Sequence, residues 1–308
     1  MIICCGEALI DMIPTAAQDG RPCFAPHAGG AVFNTAIALG RLGQKTGFVT
    51  GLSDDLFGVQ LSRALEDSNV DCSHVIRSHL PTTLAFVELT NGQARYTFYD
   101  ENTAGRSLTP DSLPDLPDSA QALYFGGISL ISEPCADFYA ALAERETATR
   151  LIVLDPNIRA TFIRDEARYR ARLDRMIAVS DIVKVSDEDL DWIIPGAGGL
   201  EDKARTMLAA GPHAVIVTRG ADGASGVFAK GPMIDVPAQR VEIVDTVGAG
   251  DTFNSGVLAQ LAQDGLLSKD AVSQIGPEAL GRALALGARV AAVTVSRAGA
   301  NPPWANEL

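Results

Sequence analysis

Residues 245–253 read Asp-Thr-Val-Gly-Ala-Gly-Asp-Thr-Phe, and this stretch decides the fold expected of the chain. A run with helical periodicity follows it to about Ala262, and the preceding Val241–Val244 has the composition of a strand. The small residues of Gly248–Gly250 therefore form a turn that feeds a helix, with Asp251 in its first turn. Free backbone N–H groups and the positive end of the helix dipole make such a turn a site for an anion.

The anion that suits this turn is a phosphoryl group in transfer. The N–H groups would stabilise the negative charge that develops as the bond to the leaving oxygen breaks. Beside them, the carboxylate of Asp251 can accept the proton of an attacking hydroxyl, which is worth roughly 10²–10⁴-fold in rate. A helix-capping carboxylate without a catalytic role is the alternative, and the Gly-Ala-Gly-Asp turn taken alone favours neither.

A second glycine-rich element lies near the start of the chain. Gly29 and Gly30 open the helix-like segment Ala31–Leu42, and paired glycines let a ligand lie against the backbone. Asn34 offers a donor and an acceptor from the first turns, and Asp11 can accept two hydrogen bonds from hydroxyl groups. These groups suit a sugar, but a Gly-Gly pair before a helix is also common where elements only pack tightly.

A third element, residues 217–223, reads Val-Thr-Arg-Gly-Ala-Asp-Gly, a strand followed by a glycine turn that can line a triphosphate or a ribose. It is no dinucleotide fingerprint, because residues 223–228 continue as a strand where a helix is required. No Gly-x-x-x-x-Gly-Lys-Ser/Thr occurs in the sequence, which excludes a P-loop. Zinc-type spacing of Cys and His is also absent, and the four histidines are dispersed.

Short apolar runs alternate with helix-like segments over most of the chain, which is typical of an α/β layered fold with a mainly parallel central sheet. We predict that Asp54 caps the second helix and that Gly43 ends the first. The predicted strands are Ile2–Cys5, Thr46–Thr50, Ala122–Phe125, Leu151–Asp155, Ile182–Val185 and Ala214–Thr218, and the predicted helices are Ala31–Leu42, Leu56–Asn69, Pro134–Thr147, Glu166–Val179 and Glu201–Ala210.

One region interrupts this alternation. Residues 82–89 and 95–100 are rich in Thr, Val, Phe and Tyr, and Asn91-Gly92 between them is a strong hairpin signal. Together with the Pro- and Gly-containing residues 14–27, they predict a small β flap. Flaps of this kind exclude water from a reaction, although a plain surface hairpin has the same composition.

Charge and composition exclude some classes of function. The 308 residues carry a formal net charge of −13, which disfavours nucleic-acid binding but leaves a small phosphate ligand open. The five cysteines are scattered, which favours a reducing compartment. No run of 18 apolar residues occurs and the start of the chain has no basic segment, so we expect a cytoplasmic protein without a membrane or nucleic-acid partner.

These elements, in this order, resemble the ribokinase-like (PfkB) family of carbohydrate kinases along essentially the whole chain. Its two signature regions correspond to Gly29–Gly43 (GGAVFNTAIALGRLG) and residues 245–253. The resemblance implies one kinase domain over residues 1–308, with a ribokinase-like three-layer α/β fold, a mainly parallel central sheet and a small β lid formed mainly by about 12–28 and 82–106. It also implies ATP as phosphoryl donor, with Mg²⁺, and a sugar acceptor under the lid.

The resemblance also assigns roles to single residues. It gives Asp251 as the base and Gly248, Ala249 and Gly250 as the anion hole. The acceptor-binding positions are Asp11, Gly29, Gly30, Asn34, Phe98 and Arg159, and the nucleotide-binding positions are Lys184, Ser186, Thr218, Gly220, Gly223 and, on the adenine wall, Ala288. Many members carry Asn-x-x-Glu near the metal, where this chain has Ser186 and Asp189. The Asp189 side chain is one methylene shorter, so we expect any contact with Mg²⁺ to pass through water.

Within the family the chain is most similar to bacterial fructokinases, through Phe98–Arg106 (FYDENTAGR) and Asp155–Arg159 (DPNIR). The related 2-keto-3-deoxygluconate kinases typically place an arginine after the paired aromatics of the lid, where it holds the carboxylate of the acceptor. Asp100 occupies that place here and would repel an acidic substrate, although Arg159 still offers a cation. The expected reaction is therefore phosphorylation of fructose to fructose 6-phosphate.

Three alternatives remain open from the sequence. The acceptor can be 2-keto-3-deoxygluconate, or it can be a nucleoside or another polyol. The chain can also be a sensor that binds a sugar without phosphoryl transfer, but retention of Asp251 beside an anion hole disfavours it, since binding alone needs no base. The apolar residues Phe86, Phe98 and Tyr99 of the flap are compatible with a homodimer formed through the lid.

Overall fold

A nine-stranded sheet lies at the centre of the structure, a computed structural model that describes residues 1–90 and 93–308. Its strands are β1 (Ile2–Cys5), β4 (Thr46–Val49), β6 (Val70–Asp71), β10 (Ala122–Gly126), β11 (Leu151–Asp155), β12 (Ile182–Ser186), β13 (Ala214–Thr218), β14 (Ala224–Phe228) and β15 (Ile234–Val236). The remaining strands are β2 (Leu9–Ala16), β3 (Pro22–Gly29), β5 (Gly51–Ser53), β7 (Ile76–Ser78), β8 (Leu84–Thr90) and β9 (Gln93–Tyr99). The helices are α1 (Ala31–Arg41), α2 (Leu56–Asp67), α3 (Cys135–Glu146), α4 (Glu166–Val179), α5 (Asp187–Ile193), α6 (Leu200–Leu208), α7 (Ala249–Gln263), α8 (Lys269–Ser273) and α9 (Pro277–Val295).

The strand order of the large sheet is β15-β14-β13-β12-β11-β10-β1-β4-β6. Neighbouring strands are parallel except at β14, which is antiparallel to both of its neighbours. The chain first builds outward from β1 through β4 and β6, and later adds β10 to β13 on the other side. Ligand crevices in α/β folds form at such a reversal, outside the carboxyl ends of the strands.

Helices cover both faces of this sheet and give the three-layer arrangement predicted from the sequence. Alternate residues of β1 point to opposite faces, so Ile2 and Cys4 pack with α1, α2, α7 and α9. Ile3 and Cys5 pack with α3, α4 and α6 on the other side. The six strands and five helices predicted for the alternating pattern are confirmed, each to within two residues at either end.

A second sheet has the order β3-β2-β8-β9 and corresponds to the predicted flap. The β2–β3 and β8–β9 pairs are antiparallel, and β2 pairs with β8 in parallel. The predicted turn at Asn91-Gly92 lies outside the described residues. On one face of this sheet the rings of Phe24, Phe86 and Tyr99 meet edge to face, with centroids 5.0 and 5.4 Å apart.

Two sequence predictions about local structure are wrong. Val241–Val244 forms no strand, and its contact with the rest of the fold includes the Val244 N–H donating to the Val295 carbonyl at 2.8 Å. Its apolar side chains are exposed, so a β-rich composition did not place it in a sheet. The cap of α2 is Asp55 and not Asp54, because the Asp55 carboxylate accepts from the Gly58 N–H at 2.8 Å. Gly43 follows the last turn of α1 with φ +78°, as predicted.

The cap gives a direct test of this correction. Asp55 also accepts from the N–H and the hydroxyl of Thr82, at 2.8 and 2.7 Å. We expect Asp55→Ala to lower the free energy of unfolding by about 1–2 kcal/mol, measured by urea denaturation. Asp54→Ala is the matched control, since the side chain of Asp54 pairs with the exposed His79 at the surface, and it should cost about 0–1 kcal/mol. Equal losses for the two variants would contradict the assignment.

No helix in the described ranges is long and apolar enough to cross a membrane.

Candidate active site

A cavity of about 370 Å³ lies at the carboxyl ends of β1, β10 and β11, where the sheet order reverses. The amino-terminal ends of α1 and α7 form part of its wall, and β9 of the small sheet reaches it through Tyr96 and Phe98. The predicted site residues that line it are Asp11, Gly30, Asn34, Phe98, Arg159, Lys184, Gly248, Ala249, Gly250 and Asp251. Residues from both signature regions therefore meet in one place.

Asp251 lies in the first turn of α7, which begins at Ala249 after the left-handed Gly248. Its side chain is buried, and its Oδ2 accepts a hydrogen bond from Asn34 Nδ2 at 2.9 Å. Burial raises the pKa of the Asp251 carboxyl from 3.8 to about 7, and the hydrogen bond from Asn34 acts in the opposite direction. A carboxylate with a pKa near neutrality is suited to general-base work.

Lys184 brings a cation to the same turn. Its Nζ lies 2.9 Å from Asp155 Oδ2, and both side chains are buried. A Cβ at Gly250 would lie 3.4 Å from Lys184 Nζ, so the ammonium group is close to the backbone that begins α7. Asp155 also accepts from Asn254 Nδ2 at 2.7 Å. The ammonium group, although paired with Asp155, and the N–H groups of the helix start therefore offer hydrogen-bond donors to an anion beside Asp251.

The wall of the cavity also contains acidic residues. Glu7 and Asp11 line it, and burial together with the charge of Glu7 raises the pKa of Asp11 to about 6. Arg159 is exposed, and its Nη1 donates to the side-chain oxygen of Asn157 at 2.7 Å. Phe98 contacts Phe162 edge to face, with centroids 4.9 Å apart. Polar groups with an apolar wall suit a polyhydroxylated ligand.

Several predicted site residues do not line this cavity. They are Gly29, Ser186, Asp189, Thr218, Gly220, Gly223 and Ala288. Gly29 lies directly behind it, because a Cβ there would be 2.2 Å from Asp11 Oδ2. Ser186 and Thr218 are partners in register at the ends of β12 and β13. The structure thus places Ser186 and Thr218 at the same edge of the sheet as Lys184.

Asp189 is held by the backbone. Its Oδ1 accepts from the Ile158 N–H at 3.2 Å, and its Oδ2 faces the Ser186 N–H at 3.5 Å. Ser186 caps α5 and accepts from the Asp189 N–H at 3.0 Å. These bonds explain Ser-x-x-Asp as a capping box. Among the residues that the structure describes, no cluster of three or more His, Cys, Asp or Glu side chains can hold a metal ion.

The profile of the pfkB family carbohydrate kinases matches residues 1–307 of this chain. The chain belongs to this family. It is 55% identical over 281 residues to a fructokinase of Rhizobium leguminosarum bv. trifolii, covering 91% of this chain and 85% of that protein. It is also 33% identical over 310 residues to a probable chloroplastic fructokinase-6 of Arabidopsis thaliana, covering 98% and 79%.

The pfkB fold is confirmed by solved structures. The fructokinase of Xylella fastidiosa with bound ATP superposes with a TM-score of 0.85 at 28% identity, covering 97% of this chain and 93% of that one. An aminoimidazole riboside kinase from Salmonella enterica, complexed with aminoimidazole riboside and an ATP analogue, superposes with a TM-score of 0.81 at 25% identity. That match covers 97% of this chain and 94% of the other.

One sequence interpretation of this pfkB kinase is wrong. Asp100 does not line the cavity that holds Asp251. Its two oxygens accept from Arg106 Nη1 at 2.7 Å and from Ser132 Oγ at 2.8 Å. Arg106 neutralises the charge of Asp100 and turns its carboxylate toward α3. Asp100 therefore does not act on the acceptor in the way that its position after the paired aromatics indicated.

Three polar residues of the site in this kinase were not predicted from the sequence. Glu7 follows β1 and lines the cavity, whereas Asp155 ends β11 and pairs with Lys184. Asn254 lies one turn after Asp251 and joins Asp155 to the hydroxyl of Tyr124. Glu7 and Asp155 carry a signal that could have found them, since each is a carboxylate at the carboxyl end of a buried strand.

The pKa of Asp251 predicts how activity depends on pH. If Asp251 is the base, kcat/KM falls as the pH is lowered through about 7, because protonation removes the acceptor for the hydroxyl proton. Asn34→Ala removes a hydrogen bond that lowers this pKa, so the acid limb should move to higher pH. Coupled ADP-release assays from pH 5 to pH 9 measure both profiles. An acid limb that stays at the same pH in Asn34→Ala would show that a group other than Asp251 titrates there.

Proposed function

We propose that this carbohydrate kinase transfers the γ-phosphoryl group of ATP to a hydroxyl of fructose, giving fructose 6-phosphate. The observation that carries the proposal is the position of Asp251, buried with a raised pKa at the start of α7 and beside Lys184. A sensor needs a sugar pocket but no base at an anion hole. The fructokinase relatives support fructose as the acceptor.

In this mechanism Asp251 takes the proton of the attacking hydroxyl as that oxygen bonds to the γ-phosphorus of ATP. The bond from the γ-phosphorus to the bridging oxygen breaks, and ADP leaves with the electron pair. The backbone N–H groups at Gly248–Gly250 and the Lys184 ammonium group stabilise the charge on the phosphoryl oxygens. Asn34 holds the carboxylate in place through its hydrogen bond.

ATP would lie along the ends of β12 and β13, where Ser186, Thr218, Gly220 and Gly223 are found, with its base toward Ala288 of α9. The two solved relatives with bound ATP or an ATP analogue support this donor. Mg²⁺ on the triphosphate would neutralise its charge. The residues present fit contact through water only, because both oxygens of Asp189 face backbone N–H groups.

The preference for a neutral acceptor rests on Glu7 and Asp11, now that Asp100 is excluded. Glu7 is buried and Asp11 half-buried in the wall of the cavity, and the charge of each opposes that of a third carboxylate brought by a sugar acid. Asp11 can instead accept hydrogen bonds from two hydroxyl groups of a ketohexose. 2-Keto-3-deoxygluconate remains the alternative, with Arg159 as its cation.

We further propose that the four-stranded sheet is the lid. Its strand β9 presents Tyr96 and Phe98 to the cavity, where they would exclude water from the reaction. Its surface also exposes Phe24 and Tyr99, at 44% and 61%, which fits a homodimer formed through the lid. Sedimentation of the wild type and of Tyr99→Asp tests that dimer. A cytoplasmic location fits the use of ATP.

The test of the function is ADP release with Mg-ATP and a panel of fructose, 2-keto-3-deoxygluconate, ribose, tagatose and adenosine. We expect the highest kcat/KM with fructose. Preference for another acceptor would retain the role of Asp251 and overturn the choice of sugar. Calorimetric binding of a sugar without any ADP release would overturn the kinase assignment in favour of a sensor.

A further inference from the structure

Glu7 joins two walls of the cavity that are distant in the chain. Its Oε1 accepts from the N–H of Ala31, the first residue of α1, at 2.9 Å. Its Oε2 accepts from the N–H of Ser129 at 3.2 Å, in the 3₁₀ turn Gly127–Leu130 that follows β10. The side chain is only 8% exposed, so these two donors take the place of water.

Two glycines provide the space for this carboxylate. Gly30 has φ +112°, and a Cβ there would lie 3.0 Å from the Glu7 carbonyl oxygen. Gly127 has φ +71°, and a Cβ there would lie 2.1 Å from Glu7 Oε1. Side chains other than hydrogen are disfavoured at both positions by the backbone conformation and by the contact with Glu7. Glycine at both positions therefore leaves the space that the Glu7 residue occupies between the two walls.

The bonds of Glu7 lead to the reacting groups. Ala31 and Asn34 belong to the first turn of α1, and Asn34 donates to Asp251. On the other side, Gly127 and Ile128 line the cavity directly. A shift of either wall would therefore move the acceptor or the base, and displacements of about 1 Å can cost on the order of 10²-fold in rate.

We propose that Glu7 is a positioning residue for the acceptor, whose ionised carboxylate fixes the start of α1 and the turn after β10 at the distance that productive binding requires. The proposal rests on the phosphoryl transfer described above. It goes beyond that transfer because it assigns a role to a residue that neither accepts the proton nor contacts ATP.

The two backbone donors favour the ionised form of Glu7, whereas burial raises the pKa of its carboxyl. Each carboxylate oxygen faces one backbone N–H, and a carboxylate can accept at both oxygens. A glutamine has one oxygen and one NH₂ group, so one N–H would face another donor and remain unpaired. Glu7→Gln therefore tests the charge and the second hydrogen bond with almost no change in volume.

We expect Glu7→Gln to lower kcat/KM for the acceptor by about 10- to 100-fold, through both a higher acceptor KM and a lower kcat, with the ATP KM unchanged. Asp181→Asn is the matched control for lost stability. Asp181 is equally buried and accepts from the Ile152 N–H at 2.8 Å and from Lys269 at 2.7 Å, but it precedes β12 at the other end of the sheet. Equal kinetic losses in both variants would overturn the proposal.

The pH profile separates positioning from a general loss of structure. The charge of Glu7 is among those that raise the pKa of Asp251, so Glu7→Gln should move the acid limb to lower pH. The other titratable groups at the cavity or coupled to Asp251 are Asp11 of β2, Tyr96 of β9, Tyr124 of β10, Asp155 of β11, Arg159 after β11, and Lys184 of β12. The variant replaces none of them, although the charge of Glu7 also raises the pKa of Asp11. An unmoved limb together with wild-type kcat and KM would leave Glu7 without a role in positioning.

Gly127→Ala is the second variant, and it keeps the test open if Glu7→Gln does not fold. Its Cβ displaces the carboxylate but retains the charge, so the acceptor KM should rise while the acid limb stays in place. All variants are assayed with the acceptor that the wild type prefers in the panel. Failure of fructose in the wild type overturns the proposed substrate, whereas wild-type kinetics in both Glu7→Gln and Gly127→Ala overturn the role of Glu7.

Discussion

Asp251→Asn is expected to lower kcat by roughly 10²–10⁴-fold while the protein remains folded. The amide keeps the size of the side chain and can still accept from Asn34 Nδ2, but it cannot take a proton from the attacking hydroxyl. ADP release with saturating acceptor and ATP measures the loss. Asp264→Asn, at the other end of α7, is the matched control and should retain full turnover. Turnover of Asp251→Asn within a few-fold of wild type would exclude Asp251 as the base.

The same variant is expected to be more stable than the wild type at pH 8. Folding raises the pKa of the Asp251 carboxyl from 3.8 to about 7, so the folded state binds more protons than the unfolded state between these values. Stability from this group is fully present below pH 3.8 and is lost as the pH rises through about 7. The gain in melting temperature should therefore be present at pH 8 and disappear near pH 4. A variant less stable at pH 8 would contradict the raised pKa.

Lys184→Met is the second change with a large expected effect, and it should reduce stability and turnover together. It removes the cation beside the turn and leaves the carboxylate of Asp155 buried without its ion pair. Breaking a buried pair in this way costs about 3–5 kcal/mol, measured by urea denaturation. Turnover should fall because the phosphoryl oxygens lose a positive charge.

A double variant separates the two effects. Lys184→Met with Asp155→Asn removes the unpaired charge, so most of the stability should return while the activity stays low. Lys203→Met is the matched control, because Lys203 is similarly buried but its partner Asp191 is 70% exposed. Lys203→Met should lower the free energy of unfolding by much less than Lys184→Met does. Recovery of activity in the double variant would show that Lys184 acts only through the fold.

The strands of the large sheet could be predicted because strands buried on both faces are continuous apolar runs. Leu151–Asp155 and Ala214–Thr218 are of this kind, and each ends at a punctuating residue. Val241–Val244 has the same composition but its side chains are exposed, so composition alone misplaced it. The helix Pro277–Val295 was not among the predicted helices, because its apolar residues were interpreted only as an adenine wall.

The site could be predicted where its chemistry is local in the sequence. Asp251 and the small residues before it form one turn, so their relation follows from their spacing. Glu7 binds Ser129, which is 122 residues away, and no local pattern reports such a contact. The misreading of Asp100 has a similar origin, since its electrostatic effect on a substrate depends on the ion pair that it forms with Arg106.

The place of β1 in the sheet has a consequence for how the chain emerges from the ribosome. The strand is made before both of its neighbours, since Ile2 pairs with Thr46 on one side and with Ala122 on the other. A nascent chain that ends before β10 therefore exposes one edge of β1, and exposed edges invite pairing with other chains. The large sheet therefore cannot close around β1 until β10 has been synthesised. We expect translation pauses before residue 122 to favour aggregation or chaperone capture.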